Sequence, residues 1–215
     1  MHIIGFAKVI GDISDGAQNV IIFFVVSFVI TALLVWFYSH SIRLTIPPLV
    51  CSLIAVIWQM GALNLLGYGL DPLSILVPFL VFAIGVSHSV QMVRAFRTDV
   101  YAGQTSLVAA QSAFRQLMLP GGIALITDTL GFITMLVIKI PIIQELGIAA
   151  SLGVGVIIIT NLFLLPILLS YSKDRSYSEA ARAKANPHPY WRKLVGVTKP
   201  RTSIIIILVW FAAGL

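Results

Sequence analysis

Charge is what this sequence has least of. Asp, Glu, Lys and Arg together supply 10% of its 215 residues, against about 25% in soluble domains. Hydrophobic residues make up 59%, and the mean hydropathy is +1.00. That balance excludes a soluble globular domain and makes the chain a membrane protein. Cysteine is scarcer still: Cys51 is the single one, which excludes a disulfide within the chain and leaves the redox compartment unread. Zinc-ligand spacing, a phosphate loop with its lysine, and a serine-histidine-acid set in an extramembrane domain are all missing from the sequence. Enzymatic chemistry, a metal and a cofactor are therefore not expected.

Long apolar runs are present in their place. Crossing a bilayer takes about 20 predominantly apolar residues, and such runs fall at 17–38, 44–68, 73–95, 118–138 and 142–171. The expected fold is all-α, a polytopic transmembrane bundle over residues 17–171. A sixth run, from Ser203 to Leu215, has 13 residues, too few to span. Residues 201–215 are thus expected to be the start of a cut helix. Residues 1–16, "MHIIGFAKVIGDISDG", are mixed and glycine-rich and lack the layout of a secretory signal; they are expected to close an upstream extracytoplasmic domain. The whole reads as part of a larger protein.

The net charge of +6 raises nucleic acid as a partner, but its distribution argues otherwise. Twelve of the 14 Lys and Arg fall in alternate loops, at 39–43, 94–117 and 172–201, and only Lys8 and Lys139 lie opposite. Positive charge accumulates on the cytoplasmic side, so those loops face the cytoplasm and "GYGLDP" and "KIP" face outward. Residues 172–200, polar and basic and interrupted by "NPHP", are expected to link two membrane halves. Asp71 followed by Pro72, and Pro141, mark helix entries, and "IPP" at 46–48 opens the second span. Leu107, Ala110, Phe114 and Leu117 recur at helical spacing, which predicts either a short amphipathic helix lying at the interface or a solvated connector.

Ionisable side chains inside a membrane usually face a bundle interior or a water path. Asp128 is the one acid deep in an apolar run, 10 residues from Met118 and 10 from Ile138. It is a candidate proton carrier; the alternative is a neutral, structural aspartic acid bonded to a neighbouring helix. His88, in "GVSHSVQM", is its natural partner, because histidine exchanges protons near neutrality. Ser87 completes the candidate relay. Pro78 is expected to bend the third span, and Ser89, Gln91, Gln59, Asn64 and Asn161 are read mainly as interhelical hydrogen-bonding groups. Gly147, Ser151 and Gly155, four residues apart with Gly153 alongside, form a candidate close-packing face.

"LVFAIGVSHSVQMVRAFR" and, further on, "LPGGIALITDTLGFITMLVIKIPIIQELGIAASLGVGVIIITNLFLLPILLSY" resemble the resistance-nodulation-division superfamily, in its large-lipid-exporter-like and Patched-like branch. The most specific part is "ITDTLGF…IPIIQELGIAASLGV". The resemblance implies two parallel six-helix repeats, with this chain holding helices two to six of the first and the start of helix seven. It implies proton-motive-force-driven export of hydrophobic or lipid-like molecules across the bacterial inner membrane. Membrane lipids, a second copy of the chain and periplasmic proteins would be its partners. Sterol-sensing proteins resemble the same helices, so a non-transporting sensor or scaffold is the rival. Members of the branch usually carry Gly-x-Asp-Tyr in the fourth helix, where this sequence has Gly85, Val86, Ser87 and His88. The usual acid is absent. Either His88 with Asp128 has taken over the relay, or this half is inactive and the other half carries it.

The basic asymmetry has a direct test. In the whole protein, cysteines introduced as Gly69→Cys and Ser176→Cys label with an impermeant maleimide from opposite sides of the membrane; labelling of both from one side contradicts the orientation.

Overall fold

The computed structural model describes residues 6–69 and 74–172, all within the compact unit Met1–Asp174. Among the described residues there is no strand, and five helical stretches are long and apolar enough to span a membrane: Asn19–Ser39, Ile42–Leu65, Ser74–Tyr101, Ser106–Val137 and Pro141–Ser170. The Asp71–Pro72 entry, the basic linker beyond residue 172 and the run from Ser203 lie outside the described residues.

Helix α1 covers Phe6–Ser39. It begins well before residue 17, so residues 6–16 continue the helix whose span is Asn19–Ser39. Gly11 and Gly16 each weaken a helix by about 1 kcal/mol, but no proline interrupts the segment and the helix runs through. Helix α1 shows most of its apolar side chains outward, among them Ile21, Phe23, Leu34 and Phe37. It is held to the bundle at two levels. Phe24 packs edge-on against Phe79 and Phe82, and at the end of α1 Arg97 donates to the Tyr38 carbonyl at 2.8 Å and lies over the Tyr38 and Tyr101 rings.

Helix α2 spans Ile42–Leu65, starting before "IPP" rather than at it. Pro47 and Pro48 sit inside the helix and have no N–H to give to the carbonyls of Arg43 and Leu44 in its first turn; further on, Ser52 donates to the Pro48 carbonyl at 2.8 Å. A tight turn joins α1 to α2. Its residue His40 has φ 50°, and buried Ser39 shares a 2.8 Å hydrogen bond with Thr45 across it.

A 3-10 turn, Ser74–Leu76, leads into helix α3, Val77–Tyr101. Pro78 therefore lies in the first turn, where a missing N–H costs nothing, and it does not bend the helix interior. Gly103, with φ 91°, turns the chain, and the Thr105 hydroxyl caps the next helix by accepting from Val108 N. That helix, α4, runs unbroken over Ser106–Thr134, with Pro120 inside it. The expected interfacial helix or connector around 103–117 is corrected: it is the first part of the fourth span. Ala109, Ala110 and Ala113 are small enough to pack it into the bundle, and all three are buried.

The last span has three parts: helix α5, Pro141–Ile157, a π-helical segment, Ile158–Leu164, and helix α6, Leu165–Ser170. Pro166 has no N–H to give to Leu162, and the Leu165 N–H reaches back five residues to the Thr160 carbonyl. The wider turn keeps Ile157, Asn161, Leu165 and Leu169 on one buried face, although steps of four would drift around an ideal helix of 3.6 residues per turn. Helix α3 sits centrally, packed against α2, α4 and α5.

The small-residue face is also corrected in part. A Cβ on Gly147 would lie 2.9 Å from the Phe132 carbonyl, and one on Gly153 would overlap the Val81 side chain, but a Cβ on Gly155 would meet nothing. Ser151 donates back to the Gly147 carbonyl within its own helix. The close-packed glycines are therefore Gly147, against the end of α4, and Gly153, against α2 and α3, while Gly155 faces open space. Gly153→Ala is expected to lower stability in detergent by about 1–3 kcal/mol through overpacking, while Gly155→Ala is neutral or slightly stabilising; thermal unfolding of both variants checks this.

Candidate functional site

Helix α3 carries two polar stripes. At helical spacing Gly85, Ser89, Met92, Val93 and Phe96 are buried, while Ser87, Gln91, Arg94 and Thr98 are exposed. The patch "GVSHSVQM" is thus divided, with Gly85 and Ser89 turned into the bundle and Ser87 and Gln91 turned out of it.

The inner stripe meets the π segment. Ser89 Oγ donates to Asn161 Oδ1 at 3.0 Å, and Asn161 Nδ2 donates to the Gly85 carbonyl at 2.6 Å. On its other flank Gly85 faces α2: a Cβ there would stand 2.8 Å from Ser52 Oγ, so only glycine permits this approach. Gln59, wholly buried, donates from Nε2 to the Ala149 carbonyl at 3.3 Å, and its Oε1 has no partner. Gln59, Ser89 and Asn161 accordingly tie α2, α3 and the last span together in the interior of the bundle.

The candidate relay is placed differently. Ser87 is exposed, and His88 is half-buried with Nδ1 3.0 Å from the Ile84 carbonyl of its own helix. Asp128 is half-buried and continues the inward stripe of Gly121 and Leu125 on α4. Counted along the two spans from neighbouring ends, Asp128 lies nine residues before Val137 and His88 fourteen after Ser74, a difference of about 7 Å at 1.5 Å per residue; Gly121 on α4, which meets Leu162 beside Asn161, lies closer to the level of His88. No hydrogen bond or ion pair joins them among the described residues, and Asp128 makes none to any other group there. Also among the described residues, no three His, Cys, Asp or Glu side chains converge as a metal site.

Sequence reasoning placed Ser89, Gln59 and Asn161 among the packing groups, and the structure bonds all three across helices. Gln91 and Asn64 are exposed instead. The four-residue step from Gly85 to Ser89 was visible in the sequence. Its pairing with Asn161 was not, because the π turn moves the register of the last span.

Five spanning helices around a hydrogen-bonded polar interior define a multi-pass helical membrane protein. Residues 37–187, well over half of the chain, match the family model described as the sterol-sensing domain of SREBP cleavage-activation, and the chain belongs to that family. It is also 26% identical over 125 residues to a protein of Methanocaldococcus jannaschii named only as a membrane protein, covering 58% of this chain and 32% of that one. To the multidrug resistance protein MdtC of Enterobacter sp. it is 22% identical over 155 residues, covering 71% of this chain and 15% of that one. The chain thus matches about a third of the first relative and a smaller part of the second. These matches uphold the resemblance to the resistance-nodulation-division superfamily.

The Asn161 contacts give an energetic expectation. Interhelical hydrogen bonds in membranes contribute about 0.6 kcal/mol on average and up to about 1.7, so Asn161→Leu should cost about 1–2 kcal/mol. Ser89→Ala added to it should cost little more, since its partner has gone. Unfolding of both single variants and the double variant measures the coupling, and strictly additive losses would show that the pair does not act together.

Proposed function

We propose that this chain is part of a proton-motive-force-driven exporter of hydrophobic or amphipathic, lipid-like molecules in the bacterial inner membrane, with Asp128 and His88 handling the proton. Asp128 carries the reading. A structural aspartic acid within a membrane span satisfies itself on a neighbouring helix, whereas Asp128 points inward without a bonded partner among the described residues. His88, on the adjacent helix α3, offers a second group that can take up a proton. The outward stripe of Ser87 and Gln91 supports the reading too, because polar side chains at membrane depth usually face protein or a water path. Similarity to a protein named for multidrug resistance adds support for export.

The driving force is sufficient. One proton crossing about 100 mV supplies about 2.3 kcal/mol, and at 1.36 kcal/mol per decade that sustains a gradient of order 50-fold. In this reading the protein works as an oligomer with periplasmic partners and has no enzymatic activity of its own. A lipid-sensing module without transport is the second reading, favoured by the description of the family it belongs to.

Efflux by the whole protein separates the two. Asp128→Asn and His88→Ala should each abolish most proton-coupled efflux while folding and reaching the membrane, and the double variant should lose little more than either, as residues acting as a unit do. Undiminished efflux in Asp128→Asn removes this site from the mechanism and leaves the relay to another part of the protein. A wild-type protein that moves neither protons nor substrate supports the sensor.

A further inference from the structure

A slot opens sideways between the first turns of α4 and the end of the last span. Its volume is about 260 Å³. Leu107, Ala110 and Phe114 form one wall, and Phe163, Pro166 and Ile167 the other, with Gln111 and Ser170 at its edge. Contacts brace both ends. Ser106 Oγ donates to the Ser172 carbonyl at 2.7 Å at the cytoplasmic end, and the Phe114 and Phe163 rings meet at 6.0 Å at the deep end. Ser106 and Phe114 are eight positions apart on α4, about 12 Å at 1.5 Å per residue. Pro166 and the π segment hold the walls apart, and the small side chain of Ala110 leaves the floor open.

We infer that this slot holds one acyl chain of a phospholipid from the cytoplasmic leaflet. The slot opens on the outside of the described bundle, where Leu107, Phe163 and Ile167 are 57%, 49% and 54% exposed, as apolar side chains that meet lipid are. The Tyr38, Arg97 and Tyr101 cluster marks the membrane–water boundary at this end, where aromatic side chains gather, and Tyr171 stands exposed beside the mouth. Size selects the occupant. An α-helix, about 10 Å across with its side chains, is too wide, and the slot is smaller than the roughly 300–1,000 Å³ of pockets for drug-sized ligands. An unbranched hydrocarbon chain lying along the helices fits, its ester end near Ser170. This site is independent of Asp128 and His88.

Brominated lipid tests it. Phe163→Trp places a reporter in the wall, and Leu119→Trp places one on an open lipid-facing surface, Leu119 being 71% exposed. The whole protein carrying either reporter is reconstituted in phosphatidylcholine vesicles with a rising fraction of chain-brominated phosphatidylcholine. The parent's own tryptophan signal is subtracted, and each curve is normalised to its value in fully brominated lipid. A single acyl chain in the slot makes quenching of Phe163→Trp proportional to the brominated fraction, whereas several exchanging lipids make the Leu119→Trp curve steeper. Adding Ala110→Phe, which fills the floor, should reduce quenching of the wall reporter several-fold and leave Leu119→Trp unchanged. Absence of quenching at Phe163→Trp means that protein covers the slot and overturns the assignment. So does a curve as steep as that of Leu119→Trp, which signifies bulk lipid only. The comparison of the two curves decides the matter even where Ala110→Phe fails to fold.

Discussion

Hydrocarbon offers no hydrogen bonds, so each polar group carried into the bilayer must find its partner inside the protein. The interior of this bundle is arranged around that constraint. Asn161 bridges the last span to α3 through Ser89 and the Gly85 carbonyl, Gln59 ties α2 to α5, and Ser52 returns to the backbone near the α2 prolines. These bonds require close approach, which explains the glycines at 85, 147 and 153, each with a neighbour where a Cβ would stand. The π segment belongs to the same solution. It accommodates Pro166 and at the same time keeps Asn161 on the buried face.

Against that largely bonded interior, Asp128 stands out. It makes no bond to His88, whose Nδ1 meets only the Ile84 carbonyl of its own helix, and Ser87 with Gln91 looks away from the bundle. A stability argument accounts for Ser89 and Asn161 and gives no reason for Asp128. The functional proposal rests on this contrast: the residues that hold the helices together and those assigned to proton handling are different sets.

The periphery follows a different rule. Helix α1 shows bulky apolar side chains outward and is fastened by aromatic contacts and by Arg97 at its end. The slot beside α6 lies between α4 and the last span, with Ala110 and Pro166 in its lining. Both features come from local side-chain volume rather than hydrogen bonding, which suits surfaces that lipid can fill.

Much of the architecture was legible in the sequence, because hydrophobic run length is a local property set by bilayer thickness. Five spans and the helix entry at Pro141 could be read from residue order. The continuity of α4 through 106–134 could not, since the break suggested by the polar residues after Tyr101 depended on whether Ala109, Ala110 and Ala113 would find helices to pack against. Nor could the division of "GVSHSVQM" into an inner and an outer stripe, or the choice of Gly153 over Gly155. Those depend on the rotation of each helix about its axis, which the π turn alters in the last span and which only contact with neighbouring helices fixes. Residue types thus determined that the chain crosses the membrane and carries polar groups into it; packing decided which of those groups hold the bundle together and which are left without a bonded partner.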